Sequence, residues 1–163
     1  MQVGYFAVTV DPEWVRTVAT TAERLGFSTI WAPEHVVLLE QYASKYPYSS
    51  GDFPAPTDTP IADPFTTLAY AAACTTRIRL ATGICLVPEH NPLVLAKTVA
   101  TVDRLSGGRF IFGVGVGWLA EELWASRSSV VVSARASISR SCASSERSGE
   151  ARIRASLSNS RMC

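Results

Sequence analysis

A chain of 163 residues, 47% hydrophobic and 18% charged, is long enough for one domain with a real core and has the balance of an ordinary soluble globular protein. Its longest charge-free apolar runs, such as Phe110 to Ala120, fall well below the roughly 18 residues that a bilayer span needs, and Met1 to Tyr5 lacks the basic region of a signal peptide. The expected location is therefore the cytoplasm, and neither a fibre nor a membrane protein fits.

The first strand is expected within Gln2 to Val10 (QVGYFAVTV). Asp11-Pro12-Glu13 then supplies an N-cap, a proline at the first helical position and an acid in the first turn. In the helix that follows, Trp14, Val18, Ala22 and Leu25 recur at four, four and three residues, predicting an apolar stripe toward a sheet, with Gly26 as the stop. Ser28 to Ala32 is the next strand, and Glu34-His35 lies just past its end. Val36 to Ala62 is long, rich in Pro, Tyr, Ser and Asp, and without periodicity; loops of that kind in compact domains are usually lids or binding segments. Asp63-Pro64 repeats the capping device and starts a helix through about Thr76, packed by Leu68, Ala69, Ala72 and Ala73. Arg77 to Val87 is the third strand. Asn91-Pro92 opens a third helix with an apolar face of Leu95, Val99, Val102 and Leu105, Gly107 and Gly108 close it, and Arg109 to Val116 is the fourth strand.

Strands alternating with capped helices make an α/β pattern with a parallel sheet, either a doubly wound open sheet or part of a (β/α)8 barrel. Both place ligand chemistry at the C-terminal ends of the strands. From Trp124 the pattern stops. Residues 1–123 carry 8 Lys+Arg against 12 Asp+Glu, a net −4, whereas residues 124–163 carry 7 Arg against 2 Glu, a net +5, and 13 of those 40 residues are Ser. Such a segment cannot bury enough apolar surface to offset its ordering entropy, so a disordered tail is expected, with Val130-Val131-Val132 as its one short strand candidate. Its arginines lack the aromatic stacking partners of a single-strand nucleic-acid binder. Cys74, Cys85, Cys142 and Cys163 are widely spaced without a CxxC pair and read as reduced thiols, with no metal site expected.

Gly113-Val-Gly-Val-Gly117 follows a strand and precedes a short helix candidate at Leu119 to Leu123. It is G-x-G-x-G, with Trp118 where a dinucleotide fingerprint needs its third glycine, and no acid follows about 20 residues on, so the glycines are read as letting a strand end bend or approach a neighbour. Gly83 interrupts the third strand, which marks either a bulge beside a ligand or a bend in a barrel wall. Glu34-His35 and Glu89-His90 are acid–histidine pairs past strand ends. His35 is read either as a general acid or base, or donor to a bound ring, or as a solvated loop residue. The turn at His90 is already explained by the Asn91-Pro92 cap.

The segments QVGYFAVTV, AERLGFSTIWAPEH and RIRLATGICLVPEHNPLVLAKTVATVDRLSGGRFIFGVGVGW together resemble the N-terminal half of the luciferase-like monooxygenase / coenzyme F420-dependent oxidoreductase family, over about residues 1–123. The resemblance implies an incomplete (β/α)8 TIM barrel made of the first four βα units. It implies hydride transfer between the deazaflavin coenzyme F420 and a small organic substrate, or oxygenation with FMN in the flavin branch, and homo-oligomeric full-length relatives acting without nucleic acid or membrane. Carried over onto this chain, His35 is the catalytic residue at the second strand end. Phe6, Gly83, Ile84, Gly115 and Trp118 line the ring site, and Gly83-Ile84 matches a bulge where family members hold a non-prolyl cis peptide. Relatives continue with four more βα units and their phosphate-binding loops, whereas this chain turns to Ser and Arg, the composition expected of out-of-frame reading of a GC-rich gene. The alternative expectation is a non-catalytic half-barrel without cofactor binding.

Overall fold

The structure is a computed structural model that describes residues 4–6, 11–48, 53, 55, 56 and 59–127. Strand β1 (Gly4–Phe6) leads to helix α1 (Pro12–Arg24), β2 (Thr29–Ala32), α2 (Pro64–Cys74) and β3 (Arg79–Thr82). After β4 (Cys85–Leu86) a 3-10 turn (Val87–Glu89) precedes α3 (Pro92–Ser106), β5 (Phe110–Ile111), β6 (Val114–Gly115) and α4 (Ala120–Arg127). Strands β1, β2, β3 and β5 form one parallel sheet in that order, with Phe6 opposite Trp31, Ile30 opposite Leu80 and Ala81 opposite Ile111. Each new strand is added beside the previous one and the order never reverses, while α1 packs on α2 and α2 on α3. That is a singly wound sheet, the arrangement of a barrel wall, and it removes the doubly wound alternative, whose strand order must switch direction.

The capping chemistry works as the sequence indicates. Asp11 accepts from the Trp14 amide at 2.9 Å, Asp63 from Thr66 at 2.6 Å, and Asn91 from Leu93 and Val94 at 3.0 and 3.2 Å. Helix α3 ends on Gly107 with φ 70°, the left-handed conformation that spares glycine a Cβ clash. The stripe on α1 needs correction: Val15, Ala19 and Ala22 are buried, while Trp14 and Leu25 are 49% and 62% exposed. Small side chains let the helix approach the sheet closely, and the bulky Trp14 is left to the solvent side. On α2 the buried set is Phe65, Leu68, Ala71 and Ala72, with Ala73 exposed; on α3, Leu95 and Val102 are buried while Leu105 is exposed. Leu68 and Leu80 are completely buried where α2 meets β3, each contributing about 1.5–3 kcal/mol by burial.

The third and fourth strands are not continuous. Each breaks at the same level, between β3 and β4 at Gly83-Ile84 and between β5 and β6 at Phe112-Gly113, and β4 and β6 resume as a separate parallel pair. The Gly83-Ile84 peptide is cis. At the break the Thr82 hydroxyl donates to the Gly113 carbonyl (2.8 Å) and accepts from the Gly113 amide (2.9 Å), standing in for the missing ladder. A Cβ on Gly113 would lie 2.2 Å from the Thr82 carbonyl oxygen, so only glycine admits this approach.

Two side chains lock the end of the sheet opposite the candidate chemistry. Arg109 spreads its guanidinium over the C-terminal end of α2 and the start of β3. Glu23, from the last turn of α1, accepts from the amides of Thr76, Arg77 and Ile78 ahead of β3 at 3.0, 2.6 and 2.9 Å. Burial pushes its carboxyl up, but the amides of Ile78, Arg77 and Thr76 outweigh that and hold it at about 2, below an ordinary value of 4.5. A depressed folded-state value means a contribution to stability that is present above about 4.5 and lost as the pH falls toward about 2. Replacing Glu23 by Gln should lower stability at neutral pH by about 1–2 kcal/mol, discounted for the solvent around this half-buried group, and flatten the acid limb. Urea titrations across that range check it; equal acid slopes in both proteins would refute it.

No helix among the described residues is long and apolar enough to cross a membrane. Helix α4 carries the fold through Trp124 to Arg127, past the point where the composition changes. Residues 128–163, with Val130 to Val132, Cys142 and Cys163, lie outside the described residues, as do the flanks of β1.

Candidate functional site

Because the strands are parallel, their C-terminal ends share one edge of the sheet, and that edge gathers the titratable groups. The end of β2 delivers Glu34 and His35, β4 delivers Glu89 and His90 through the 3-10 turn, and β6 delivers Trp118 and the start of α4. The acid–histidine pairs adjacent in sequence are not the pairs that form. His35 Nδ1 lies 2.8 Å from Oε2 of Glu122 on α4, and His90 Nε2 lies 2.9 Å from Oε1 of Glu34. Each histidine meets an acid delivered by another strand.

Glu122 is 2% exposed and takes three donors: His35 on one oxygen, and the amides of Val36 (2.6 Å) and Val37 (3.1 Å) on the other. A carboxylate only accepts, so the imidazole presents Nδ1–H to it and leaves Nε2 for a bound molecule. Glu34 is also buried and accepts from the Leu86 amide at 2.5 Å. Its charge acts on Cys85, whose thiol is pushed up to about 12 by burial first and Glu34 second. Ligand atoms of Glu34, Cys85 and His90 lie within 4.8 Å of one another, but Glu34 and His90 are bonded to each other and the thiol keeps its proton. The trio is a hydrogen-bonded cluster. Glu89 lies beside it, pushed up to about 7 by burial, then by the charges of Glu122 and Glu34, with His35 acting in the opposite sense.

The long loop folds onto Trp118. Phe53 stacks on the indole with centroids 6.0 Å apart, Tyr46 and Tyr42 meet its edge at 5.2 and 5.8 Å, and the His35 ring lies 5.1 Å from Phe53 and 6.2 Å from Trp118. Glu121 secures the loop from α4, accepting from the amides of Ala43 and Ser44 and from the Ser44 hydroxyl. These bonds, that from the Ser44 hydroxyl foremost, hold its carboxyl down at about 2. The cavity inside this aromatic group is about 30 Å³, too small for a tricyclic ring. A larger groove of about 490 Å³ runs along the flank between α3 and β5, lined by Pro92, Leu95, Ala96, Val99, Phe110 and Phe112, away from the titratable groups.

Of the residues singled out in the sequence, His35 and Trp118 come together. Ile84, 39% exposed, follows the cis peptide at the base of the same edge, and Gly83 donates to the Ala32 carbonyl at 2.8 Å. Gly115 stands against Ile84: a Cβ there would be 2.0 Å from Ile84 Cδ1, so its place in the wall is to admit that side chain. Phe6 ends β1 opposite Trp31, and its side chain lies outside the described part. Glu122, and the pairing of Glu34 with His90, escaped the sequence reading. The signal was present in Leu119-Ala-Glu-Glu-Leu123, where Glu122 falls three residues after the buried Leu119, on the inward face of a helix.

The family model described as luciferase-like monooxygenase matches residues 1–129. The chain belongs to this family. An uncharacterized protein of Mycobacterium tuberculosis is 44% identical over 107 residues, covering 64% of this chain and 38% of that protein. Among solved structures, the monooxygenase RslO1 from Streptomyces bottropensis is 34% identical with a TM-score of 0.56, over 77% of this chain and 36% of that one. The coenzyme F420 dependent tetrahydromethanopterin reductase from Methanopyrus kandleri is 26% identical with a TM-score of 0.53, over 71% and 27%. The chain thus spans about a third of the length of the luciferase-like proteins it matches. The match includes α4, which brings Glu121 and Glu122 into the luciferase-like region.

Proposed function

We propose that the chain forms the first four βα units of a (β/α)8 barrel of a luciferase-like oxidoreductase, and that His35 serves hydride transfer between a deazaflavin, coenzyme F420, and a small organic substrate. The observation that carries this is the buried His35–Glu122 pair, set beside Trp118 at the strand ends near the cis Gly83-Ile84 peptide. The deazaflavin is favoured by the likeness to the F420 dependent reductase, and FMN, which the flavin branch of the resemblance implies, is the alternative ring.

The residues present fit one wall of a ring site. The exposed Ile84 offers an apolar seat that Gly115 makes room for. Phe6 ends β1 at one edge of the sheet, beside β2, and Trp118 follows β6 beyond the other edge. When bound, such a ring supplies the hydride acceptor or donor. Glu122 fixes the His35 imidazole by its Nδ1 proton, leaving Nε2 to hold or deliver a proton to the substrate or to bond the ring. The aromatic side chains packed around Trp118 keep water from that imidazole.

A second reading, a half-barrel without cofactor binding, is favoured by the open flank groove between α3 and β5. Titration of the purified chain with coenzyme F420 and with FMN, followed by ring absorbance, separates the two. Saturable binding that weakens at least about tenfold in His35→Ala or Trp118→Ala supports the oxidoreductase reading, on the scale of losing one or two contacts at 1.4 kcal/mol per decade. No saturable binding to a folded chain would establish the half-barrel.

A further inference from the structure

Three carboxyl groups and two imidazoles meet at the strand ends, and the count leaves one acid over. Glu122 has His35, and Glu34 has His90. Glu89, at the end of the 3-10 turn packed against α4, has neither: its Oε2 is buried without a hydrogen-bond partner among the described groups. An ionised carboxylate with an orphaned oxygen is costly, and the same group carrying a proton is far less so.

The charges acting on Glu89 come from every element around it. Glu122 from α4 and Glu34 from the end of β2 both disfavour its ionisation, burial does so more strongly than either, and His35 alone favours it. Cys85 on β4 keeps its thiol proton, and His90 after the turn is taken by Glu34. Among the described residues, the partner that draws charge onto Glu89 is thus the imidazole assigned to the chemistry. A proton passing from Glu89 to His35 leaves the total charge of the site unchanged.

We propose that Glu89 is the proton store of this site, a neutral carboxylic acid that re-protonates the His35 imidazole after that ring has given its proton to a bound molecule. The inference rests on the reading of His35 as proton donor. In the step, the Glu89 O–H bond breaks and an N–H bond forms on His35, directly or through one water; Glu89 is left as carboxylate and is refilled from solvent. Glu89 is a positioning residue in this scheme, since it acts on the substrate only through His35. Its value of about 7 puts both of its protonation states within reach at neutral pH.

The test needs no cofactor, and the chain has only two histidines. In the intact chain with isotope-labelled histidine, ring resonances are followed against pH, with His90→Gln used to assign them. The His35 signals are expected to show an inflection near pH 7 that reports Glu89, and Glu89→Gln should abolish it. An inflection that survives in Glu89→Gln, or none in the wild type, overturns the proposal. Should that variant fail to fold, the δ-carbon of Glu89 in the wild-type chain decides: a midpoint near 7 sustains the proposal and one near 4.5 overturns it. Failure of the chain to bind either ring would remove the oxidoreductase reading and leave this titration result standing, so the two failures are distinct.

Discussion

Replacing Arg109 with Met is expected to cost about 3–5 kcal/mol of stability, because a half-buried guanidinium that makes five hydrogen bonds would vanish from the carbonyls and the hydroxyl it joins. Nε donates to the Ser106 carbonyl at 2.7 Å, one terminal nitrogen to the Thr75 hydroxyl and the Ile78 carbonyl at 3.0 and 2.9 Å, and the other to the carbonyls of Ala72 and Thr75 at 3.0 and 3.1 Å. One planar fork thereby ties the end of α2, the start of β3 and the end of α3. Arg109→Lys should recover less than half of the loss, since an ammonium has three donors and no fixed plane. Urea unfolding measures both. A Met variant within about 1 kcal/mol of wild type would mean that the fork contributes no more than one ordinary hydrogen bond.

The second large effect is expected at Glu122. Truncation to Ala leaves the amides of Val36 and Val37 and the Nδ1 proton of His35 facing a buried void, at about 3–4 kcal/mol. Amide exchange of Val36 and Val37 should accelerate far more than that of Leu80, at the centre of the sheet. The Gln variant tests the chemistry separately from the packing. Its volume is unchanged and its carbonyl can keep the two amides, but its NH2 then faces His35 Nδ1. The ring should respond by moving its proton to Nε2, and 15N shifts of the imidazole report which nitrogen carries it. If the proton stays on Nδ1 in Glu122→Gln, Glu122 does not set the tautomer, and its place in the proposed mechanism falls.

Both residues lay in stretches read for their secondary structure alone. Arg109 was the first residue of a strand and Glu122 a member of a short helix. Nothing local distinguishes an arginine that will bond five times from one that faces water; its partners lie between 3 and 37 positions away. The helix phase was misjudged for a related reason. Trp14 and Val18 of the expected stripe each lie one residue before the buried Val15 and Ala19, while Ala22 belongs to both sets. Spacing measures amphipathicity, whereas the offset depends on how close the sheet lies and hence on which side chains are small enough to enter.

What the sequence by itself determined is whatever short-range chemistry governs. Three Asx-Pro caps and the glycines after α1 and α3 set helix boundaries, since capping bonds reach only two or three residues. The alternation of those helices with apolar strands required a parallel α/β sheet, and hence a single edge for the chemistry. The segments QVGYFAVTV, AERLGFSTIWAPEH and Arg77 to Trp118 together were enough to point to the luciferase-like family. Only the tertiary structure decided that the sheet is wound singly, and which acid meets which histidine. Those pairings join residues 87 and 56 positions apart, through loops from different strands. They depend on sheet register and on where α4 returns, which adjacency in the chain does not encode.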